Sequence, residues 1–488
     1  MSEAVKSRRW FLRGLGGTAA AGATLVAWPP GSGPVNDSAT AVERKRGREQ
    51  GDRPNFVVIV ADDVGLGELG SYGQRKMKTP NLDRMARQGL RFTDAYSAAP
   101  VCAPARAALL TGLHAGGGAV RRNPPKDGDL PLNGLPTLGT VLQERGYRTG
   151  LFGKWGFSRD RLGPDHPNNY GFSDYYGYLT HHAAHSYYPT HLWRNQEKVV
   201  LPGNTGDTGQ IFGPDLIVDE AVKFLDDAKD EPFLMIVAPN LAHAPSVVPG
   251  LGSYAGKPWK QANKAHAAQI DRLDRYVGVL LDQLKALKLV DNTIVLFTSD
   301  NGPHEEKGVN PVFFDGNGRY RGYKRNLYEG GIRVPFIAWS PKLLPRTSGK
   351  TTRHPSTQYD LLATFADFAD APLPVRQDGL SLRRVMEGRG GAPVHRYLYW
   401  LRLHVGSTPR HLKEDHGKGK RAAAAVRFGD WKVIGFAPTQ EYTRPGAGWT
   451  YELYNLKKDP GETKNLASKN RKLVKRGEGY MREAWRPF

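Results

Sequence analysis

The sequence predicts an α/β protein: a large, doubly wound, mostly parallel sheet with helices on both faces, plus a small C-terminal α+β subdomain with an antiparallel sheet. Apolar runs without alternation, such as 55–60 and 293–298, are typical of strands buried on both faces. Amphipathic segments such as 261–289 separate these runs, as expected for helices that cross between parallel strands. Past about residue 390, segments 422–433 and 451–454 alternate like antiparallel strands with one exposed face.

The predicted elements alternate along the chain. Proline in the first turn favours a helix start, as in Thr79-Pro80 and Cys102-Ala103-Pro104, and Gly112 ends the second of these helices. Residues 156–212 are rich in His, Tyr, Gly, Pro and Asn, so we interpret them as long loops over a site. We expect strands at 55–60, 146–152, 232–238, 293–298 and 334–339, and helices at 80–90, 102–111, 136–145, 215–228 and 261–289, with a basic helix at the C-terminus.

Composition and charge limit the class of protein. The 488 residues are 39% hydrophobic and 24% charged, which is typical of a globular chain, and no apolar run reaches the roughly 18 residues of a membrane span. Cys102 is the only cysteine, which excludes an intramolecular disulfide and a CxxC zinc site. The formal charge of +21 favours an anionic partner. No zinc finger or RNP-type motif points to nucleic acid, and a basic protein without an anionic partner is the plainer alternative.

The first residues resemble a twin-arginine export signal. Arg8-Arg9 precedes a short apolar stretch at 14–28, and Ala39-Thr40-Ala41 is similar to a small-residue cleavage site. We therefore predict a bacterial protein that is exported to the periplasm or the medium, with a disordered basic tail as the alternative. The predicted divisions are the signal at 1–41, the α/β domain at 42–390 and the C-terminal subdomain at 391–488.

Polar side chains follow four of the predicted strands. In open α/β sheets, ligands bind at the carboxyl ends of the strands, so we expect one site where these side chains meet. Crowded carboxylates repel each other unless a cation lies between them, and oxygen ligands suit calcium or magnesium rather than zinc. Taken singly, an Asp-Asp pair or a Ser-Asp-Asn-Gly segment is more often a turn or a helix cap. The side chains are Asp62, Asp63, Lys154, His243, Asp300 and Asn301.

The segment from Cys102 to Gly112 carries the most specific motif. Because Pro104 suits the first turn of a helix, Cys102 is expected at a helix N-terminus, where backbone amides favour an anion. The segment reads C-x-P-x-R-x-x-x-x-T-G and so resembles the formylglycine-dependent (type I) sulfatases, an arylsulfatase-like family of the alkaline-phosphatase-like superfamily. Further matches follow in order along nearly the whole chain: Asp62-Asp63, Gly153-Lys154-Trp155, His243-Ala244-Pro245, Asp300-Asn301-Gly302, Lys324 before Glu329-Gly330-Gly331, and Leu453-Tyr454-Asn455-Leu456.

The resemblance implies a sulfuric ester hydrolase whose motif cysteine is converted to formylglycine by a formylglycine-generating enzyme. In that family one oxygen of the hydrated aldehyde attacks sulfur and the other then expels sulfate, which a serine could not do. The resemblance favours Ca²⁺ over Mg²⁺ as the bound cation. The implied metal ligands are Asp62, Asp63, Cys102, Asp300 and Asn301. The implied catalytic residues are Cys102, Arg106, Lys154, His243 and Lys324.

The chain departs from much of the family at Gly156. Many members have a histidine directly after Gly-Lys-Trp, which is assigned to help regenerate the aldehyde. The candidates to replace it are His181, His182, His185 and His304, each with an exposed loop residue as the alternative. We favour His185 and His304 as substrate contacts, because both lie next to segments placed at the site. We interpret His166, His191, His266 and His354 as structural.

Three functions remain open from the sequence. The first is hydrolysis of an aryl or carbohydrate sulfate, and the basic chain would concentrate a sulfated glycan or small sulfated molecule. The second is hydrolysis of a phosphate diester or a phosphonate ester by the same superfamily scaffold. The third is a non-catalytic glycan-binding protein, which the loss of the family's histidine at Gly156 would indicate. The intact Cys102 motif argues against this third function.

Overall fold

The structure of the protein, a computed structural model, describes residues 53–125, 128–403 and 406–488. The predicted export signal at 1–41 lies outside the described residues. The strands are β1 (Asn55–Ala61), β2 (Leu90–Phe92), β3 (Ala95–Tyr96), β4 (Arg148–Lys154), β5 (Asp174–Tyr178), β6 (His191–Arg194), β7 (Glu197–Val200), β8 (Phe233–Ala238), β9 (Thr293–Ser299), β10 (Phe336–Trp339), β11 (Lys350–Thr352), β12 (Ser356–Thr357), β13 (Leu398–Arg402), β14 (Ala423–Phe428), β15 (Trp431–Phe436) and β16 (Thr450–Asn455). The helices are α1 (Pro80–Gln88), α2 (Cys102–Thr111), α3 (Leu138–Gln143), α4 (Gly213–Ala228), α5 (Gln261–Ala286), α6 (Pro311–Phe314), α7 (Glu329–Ile332), α8 (Asp360–Phe368), α9 (Arg383–Met386), α10 (Pro409–Glu414) and α11 (Arg471–Ala484).

The main sheet has ten strands in the order β11-β2-β10-β9-β1-β8-β4-β5-β6-β7. Among the described strands of this sheet, β10 and β6 run antiparallel to their neighbours and the others pair in parallel. β1 lies between β8 and β9, and all seven of its residues are buried. The continuous apolar run that predicted this strand reflects its central position. The predicted fold class is confirmed.

Helices cover both faces of the main sheet, because successive side chains of a strand point to opposite faces. On one face, Val57 and Ile59 of β1 pack in a core with α4 and α5. On the other face, Phe56 and Val58 pack with α2, α3 and α8. In the part of the chain that the structure describes, every helix is too short or too polar to cross a membrane.

The C-terminal sheet is antiparallel, with four strands in the order β13-β14-β15-β16. One of its faces packs on Tyr96 and Ala108 of the N-terminal part of the chain. Helix α11 covers the other face through Met481 and Ala484. The small antiparallel sheet that the alternating pattern predicted is therefore present.

The interpretation of 156–212 as long loops is wrong in part, because this segment contains three strands. β5, β6 and β7 lie in this segment and extend the main sheet beyond β4. They are only five, four and four residues long, and β5, which pairs with β4, joins them to the main sheet through a tertiary contact that no local pattern shows. Asn195, with φ of 47°, makes the tight turn between β6 and β7.

A buried group of ion pairs, the bridging cluster, joins the main part of the chain to the C-terminal sheet. Arg333 Nη1 is 2.7 Å and Arg427 Nη2 is 3.0 Å from the carboxylate of Asp94. Lys432 Nζ lies 2.9 Å from Glu329 Oε1 and 3.0 Å from Glu462 Oε1. Opposite charges match within the cluster, so its burial leaves no net charge uncompensated. Its members are Asp94, Glu329, Arg333, Arg427, Lys432 and Glu462, and all are buried.

Candidate active site

The carboxyl ends of four consecutive strands, β9, β1, β8 and β4, meet at one edge of the main sheet. Asp62 and Asp63 follow β1, Asp300 follows β9, and Lys154 is the last residue of β4. His243 lies in the segment after β8. The structure therefore brings together the polar side chains that the sequence placed at strand ends, and all of them are buried.

Hydrogen bonds fix the acidic centre of this site. Asp63 has a left-handed backbone, with φ of 65°, which turns the chain sharply after Asp62. The Asp63 amide donates to Asp300 Oδ1 at 3.0 Å, and Asn301 Nδ2 donates to Asp63 Oδ1 at 2.7 Å. Asn301 Oδ1 is buried and has no hydrogen-bond partner among the described residues.

Cys102 is the first residue of α2, as the motif predicts, and its side chain is fully buried. Its Sγ lies 3.5 Å from Asp62 Oδ1 and 3.9 Å from Asp63 Oδ1. Burial raises the pKa of the thiol well above its ordinary value, so an unmodified Cys102 stays protonated and is a poor nucleophile. The Ala103 amide donates to Asn123 Oδ1 at 3.0 Å, so this amide of the helix N-terminus is already paired.

Two cations face Asp62 and Asp300. Arg106 Nε donates to Asp300 Oδ2 at 2.9 Å, and Lys154 Nζ donates to Asp62 Oδ2 at 2.8 Å. Burial alone would raise the pKa of Asp62, but Lys154 and Arg106 hold it well below its ordinary value. For Asp300 the balance is reversed, because burial and the charge of Asp62 outweigh Arg106 and raise its pKa to about 7.

Lys324 connects Asp63 to His243. Its Nζ donates to Asp63 Oδ2 at 2.7 Å and lies 3.0 Å from His243 Nε2. The Nδ1 of His243 bonds the carbonyl of Ala244, so Nδ1 carries the proton and Nε2 accepts from Lys324. Burial and the charge of Lys324 lower the pKa of His243 well below its ordinary value, and the imidazole is neutral.

A group of histidines continues from His243 into the segment after β5. His185 stacks on His243, with ring centroids 4.2 Å apart and planes 6° apart. Among the described residues, His181 Nδ1, His182 Nε2 and His185 Nε2 are buried without a hydrogen-bond partner. Burial lowers the pKa of His181 and His185, so both rings are neutral. His181 also borders Gly156: a Cβ at residue 156 would lie 3.8 to 3.9 Å from its nearest atoms.

His304 is placed differently from His185. Its Nδ1 accepts from the Glu306 amide at 3.1 Å, so Nε2 carries the proton and donates to the Ala242 carbonyl at 3.1 Å. Both ring nitrogens are therefore used within the chain. The prediction that His304 contacts the substrate stays a prediction, and these bonds favour a positioning role for it instead.

Sequence reasoning missed Glu306. Its Oε2 is 3.3 Å from Lys324 Nζ, its Oε1 accepts from Arg325, and Lys324 and Arg325 together keep the pKa of this half-buried carboxyl far below its ordinary value. A Glu-Glu pair in a loop gives no local signal, and only the spatial neighbourhood of Lys324 reveals it. His266, which we interpret as structural, is fully buried and bonds Glu68 Oε1 at 2.7 Å.

The donor set fits a hard divalent cation. Ligand atoms of Asp62, Asp63, Cys102 and His243 lie within 4.8 Å of one another. This group shares three members with the predicted ligand set, whereas Asp300 is held by Arg106 and by the Asp63 amide. The unpartnered Oδ1 of Asn301 supplies a further oxygen of the kind that Ca²⁺ and Mg²⁺ take.

A doubly wound sheet, a cysteine at a helix N-terminus and carboxylates at the strand ends are the features expected of a hydrolase of the alkaline-phosphatase-like superfamily, and the comparisons with known proteins support this class. The sequence model of the sulfatase family matches residues 54–371. A second family model matches residues 318–476, and its description is "N-sulphoglucosamine sulphohydrolase, C-terminal". The chain therefore belongs to the sulfatase family and is a sulfuric ester hydrolase.

Individual relatives cover most of the chain. Human arylsulfatase A is 31% identical over 456 residues, which are 85% of this chain and 83% of that protein. The N-acetylgalactosamine-6-O-sulfatase of Bacteroides thetaiotaomicron is 27% identical over 528 residues, covering 91% of this chain and 96% of the relative. The crystal structure of Ps i-CgsB in complex with k-i-k-neocarrahexaose is similar to this structure, with a TM-score of 0.73 at 29% identity. The match covers 89% of this chain and 93% of the Ps i-CgsB chain.

Proposed function

We propose that the protein hydrolyses a sulfate ester of a carbohydrate, using a formylglycine made from Cys102 and a bound Ca²⁺. The observation that carries the proposal is the position of Cys102 at the start of α2, with its Sγ 3.5 Å from Asp62 Oδ1. The carbohydrate class is supported by relatives whose names include a sulfated amino sugar or whose structure holds an oligosaccharide.

The charges of the site suit a sulfate ester. Within the cluster around Cys102, the carboxylates Asp62, Asp63 and Asp300 are matched by the cations Arg106, Lys154 and Lys324. A bound divalent cation would add positive charge and act as a Lewis acid toward an oxygen of the reacting group. The residues that would hold it are Asp62, Asp63, Asp300, Asn301 and residue 102 in its modified form. With this cation the site becomes net positive, which favours an anionic ester over a neutral one.

We assign the leaving-group proton to Lys324 and His243. The hydrogen bond from Lys324 Nζ to His243 Nε2 holds a proton between two atoms that both lie beside Asp63. A proton at this place can neutralise the alcohol oxygen as the ester bond breaks. Lys154 and Arg106, whose nitrogens lie 2.8 and 3.4 Å from Asp62 Oδ2, stabilise negative charge on the sulfuryl oxygens.

The histidines after β5 form the wall that faces the organic part of the substrate. His185 stacks on His243 and keeps Nε2 unpartnered among the described residues, so we assign it a hydrogen bond to a sugar hydroxyl. His304, whose nitrogens both bond the backbone, holds the Ala242 segment and the Glu306 loop in place.

Maturation and export belong to the same proposal. A formylglycine-generating enzyme would modify Cys102, and the signal at 1–41 would direct the protein to the periplasm or the medium. Replacing Arg8-Arg9 by Lys-Lys should leave the protein in the cytoplasm, as measured by cell fractionation. Export that is unchanged in this variant would contradict the twin-arginine route.

Mass spectrometry of the protein from its native host tests the central step. In the tryptic peptide that carries Cys102, sulfur and two hydrogens should be replaced by one oxygen. The same sample should hydrolyse 4-nitrophenyl sulfate faster than bis(4-nitrophenyl) phosphate, which separates sulfatase activity from phosphodiesterase activity. A fully unmodified thiol in an active sample would contradict the proposed nucleophile.

A further inference from the structure

Two neighbouring cavities lie along the edge of the main sheet formed by β11 and β2. Their volumes are about 790 and 270 Å³. They share Gly70, Ser71, Arg91 and Thr351 in their walls, so they are adjacent, and we call the two together the groove. None of the residues that line it belongs to the cluster around Cys102.

Basic side chains outnumber acidic ones in this groove. The carboxylates are Asp83, Asp94 and Asp315. Arginine is suited to bind sulfate and carboxylate groups, because its planar fork of N–H donors matches their oxygens. The basic residues of the lining are Arg87, Arg91, Arg319, Arg333, Lys350 and Arg353.

Two of the arginines are available to an external anion. Arg333 is buried and committed to Asp94 at 2.7 Å. Arg353 reaches the same carboxylate only at 4.0 Å, and its side chain is 72% exposed. Arg319 is exposed, has no ion pair among the described residues, and lies over the ring of Tyr320 at 5.5 Å. The rim of the groove thus presents positive charge that the protein itself does not neutralise.

The groove opens at the same edge of the sheet as the active site. Asp94 lies just beyond the carboxyl end of β2 and Arg353 directly follows β11, and both strands run parallel to β1. Four strand spacings separate β11 from β1, which is about 20 Å. Arg353 thus lies at the same edge of the sheet as Asp62, at a distance that several units of a polysaccharide span.

We propose that this groove binds a second segment of a sulfated polysaccharide, whose sulfate groups contact Arg319 and Arg353 while another sugar occupies the active site. The proposal rests on the proposed function for its choice of substrate class. The groove favours a glycan over a nucleic acid, because a single strand of nucleic acid needs exposed aromatic rings on which its bases stack. The described lining holds two aromatic rings: Tyr320, which is 8% exposed, and Tyr72, which is partly buried and lies under Arg91 with its hydroxyl bonded to the carbonyls of Phe92 and Phe336.

Binding to heparin and to dextran sulfate tests the groove. The variant R319Q/R353Q should bind both polymers about tenfold more weakly than the wild type, because two charge-assisted contacts are lost. The matched control is R471Q/K475Q, which removes two exposed positive charges from α11 on the far side of the C-terminal sheet. This control should stay within about twofold of the wild type, and the thermal unfolding midpoints of all three proteins should agree.

The possible outcomes separate the groove from the proposed function. If both variants lost the same affinity for heparin and dextran sulfate, the groove would not be the binding site, because binding would then follow net charge alone. Double-stranded DNA that binds as tightly as heparin, and loses affinity equally in R319Q/R353Q, would overturn the glycan assignment. The wild-type protein could also bind heparin through these arginines and yet hydrolyse neither 4-nitrophenyl sulfate nor sulfated sugars. That result would contradict the proposed function and still support the groove as a glycan-binding site.

Discussion

Two buried charge clusters of this protein have the same composition and different roles. The cluster around Cys102 and the bridging cluster each pair three carboxylates with three cations. In the bridging cluster direct ion pairs join the main part of the chain to the C-terminal sheet, and two of its members, Asp94 and Arg333, also line the groove. Around Cys102, several buried atoms, Asn301 Oδ1 and His185 Nε2 among them, have no hydrogen-bond partner among the described residues. In the described bridging cluster Glu462 Oε1 is the one such atom, and it still lies 3.0 Å from the charge of Lys432.

This difference separates a structural cluster from a reactive one better than charge or burial does. Unpartnered polar atoms cost stability when they are buried. A protein keeps them where a ligand completes the hydrogen bonds, and they then provide binding energy. The two clusters should therefore respond in opposite ways to substitution: one in activity, the other in stability.

The largest effect is expected at Cys102. Cys102→Ala should lower kcat/KM for 4-nitrophenyl sulfate by about 10⁴-fold or more, because the chain loses its proposed nucleophile. The free energy of unfolding should change by only about 1 kcal/mol, since a small side chain is lost from a buried position. Activity that survives in this variant would place the nucleophile elsewhere.

The next effect is expected in the bridging cluster. Lys432→Met should lower the free energy of unfolding by about 3–5 kcal/mol, because Glu329 and Glu462 then face each other without their shared cation. Denaturant unfolding measures the loss, with exposed Lys472→Met as the control, which should stay within about 0.5 kcal/mol. A stable Lys432→Met protein would show that the cluster tolerates unpaired carboxylates.

Cation binding should stabilise only the cluster around Cys102. Ca²⁺ at a hundred times its dissociation constant should raise the free energy of unfolding by about 2.7 kcal/mol, since it binds the folded state. Asp63→Asn should abolish this increase, whereas Lys432→Met should retain it from its lower starting value. An equal increase in the Asp63→Asn protein would place the cation outside the proposed ligands.

The smallest effect concerns pH. Burial and the charge of Glu329 raise the pKa of Glu462 from 4.5 to about 7. Between these values the folded state holds a proton that the unfolded state has lost, so stability falls as pH rises from 4.5 to 7. The Glu462→Gln protein should lack this decline, which amounts to about 2 kcal/mol in the wild type. Parallel curves for the two proteins would contradict the assignment.

Much of the fold and of the site follows from the sequence, for one physical reason. Central strands such as β1 are buried on both faces and leave a continuous apolar run, and the polar residues that end them mark one edge of the sheet. Cys102, Arg106, Lys154 and Lys324 are predicted instead from the resemblance of their motifs to those of the sulfatase family.

The rest depends on contacts between residues far apart in the chain. The bridging cluster joins Asp94 to Arg427, and nothing in either local sequence indicates the other. β5 to β7 are short, and the successive pairings of β5 with β4, β6 with β5 and β7 with β6, rather than local propensity, make them strands. His185 and His304 look alike in sequence, and only their hydrogen bonds distinguish a free ring nitrogen from two committed ones.

The burial of Cys102 bears on whether the proposed modification occurs before or after folding. Every residue of α2 is buried, and the exposed fraction of Cys102 itself is 0%. A modifying enzyme must hold this cysteine in its own active site, and the closed fold offers it no access. On the proposed function, the oxidation of Cys102 would therefore have to precede folding. A chain that folded first would keep its thiol, so the rate of folding would compete with the rate of activation.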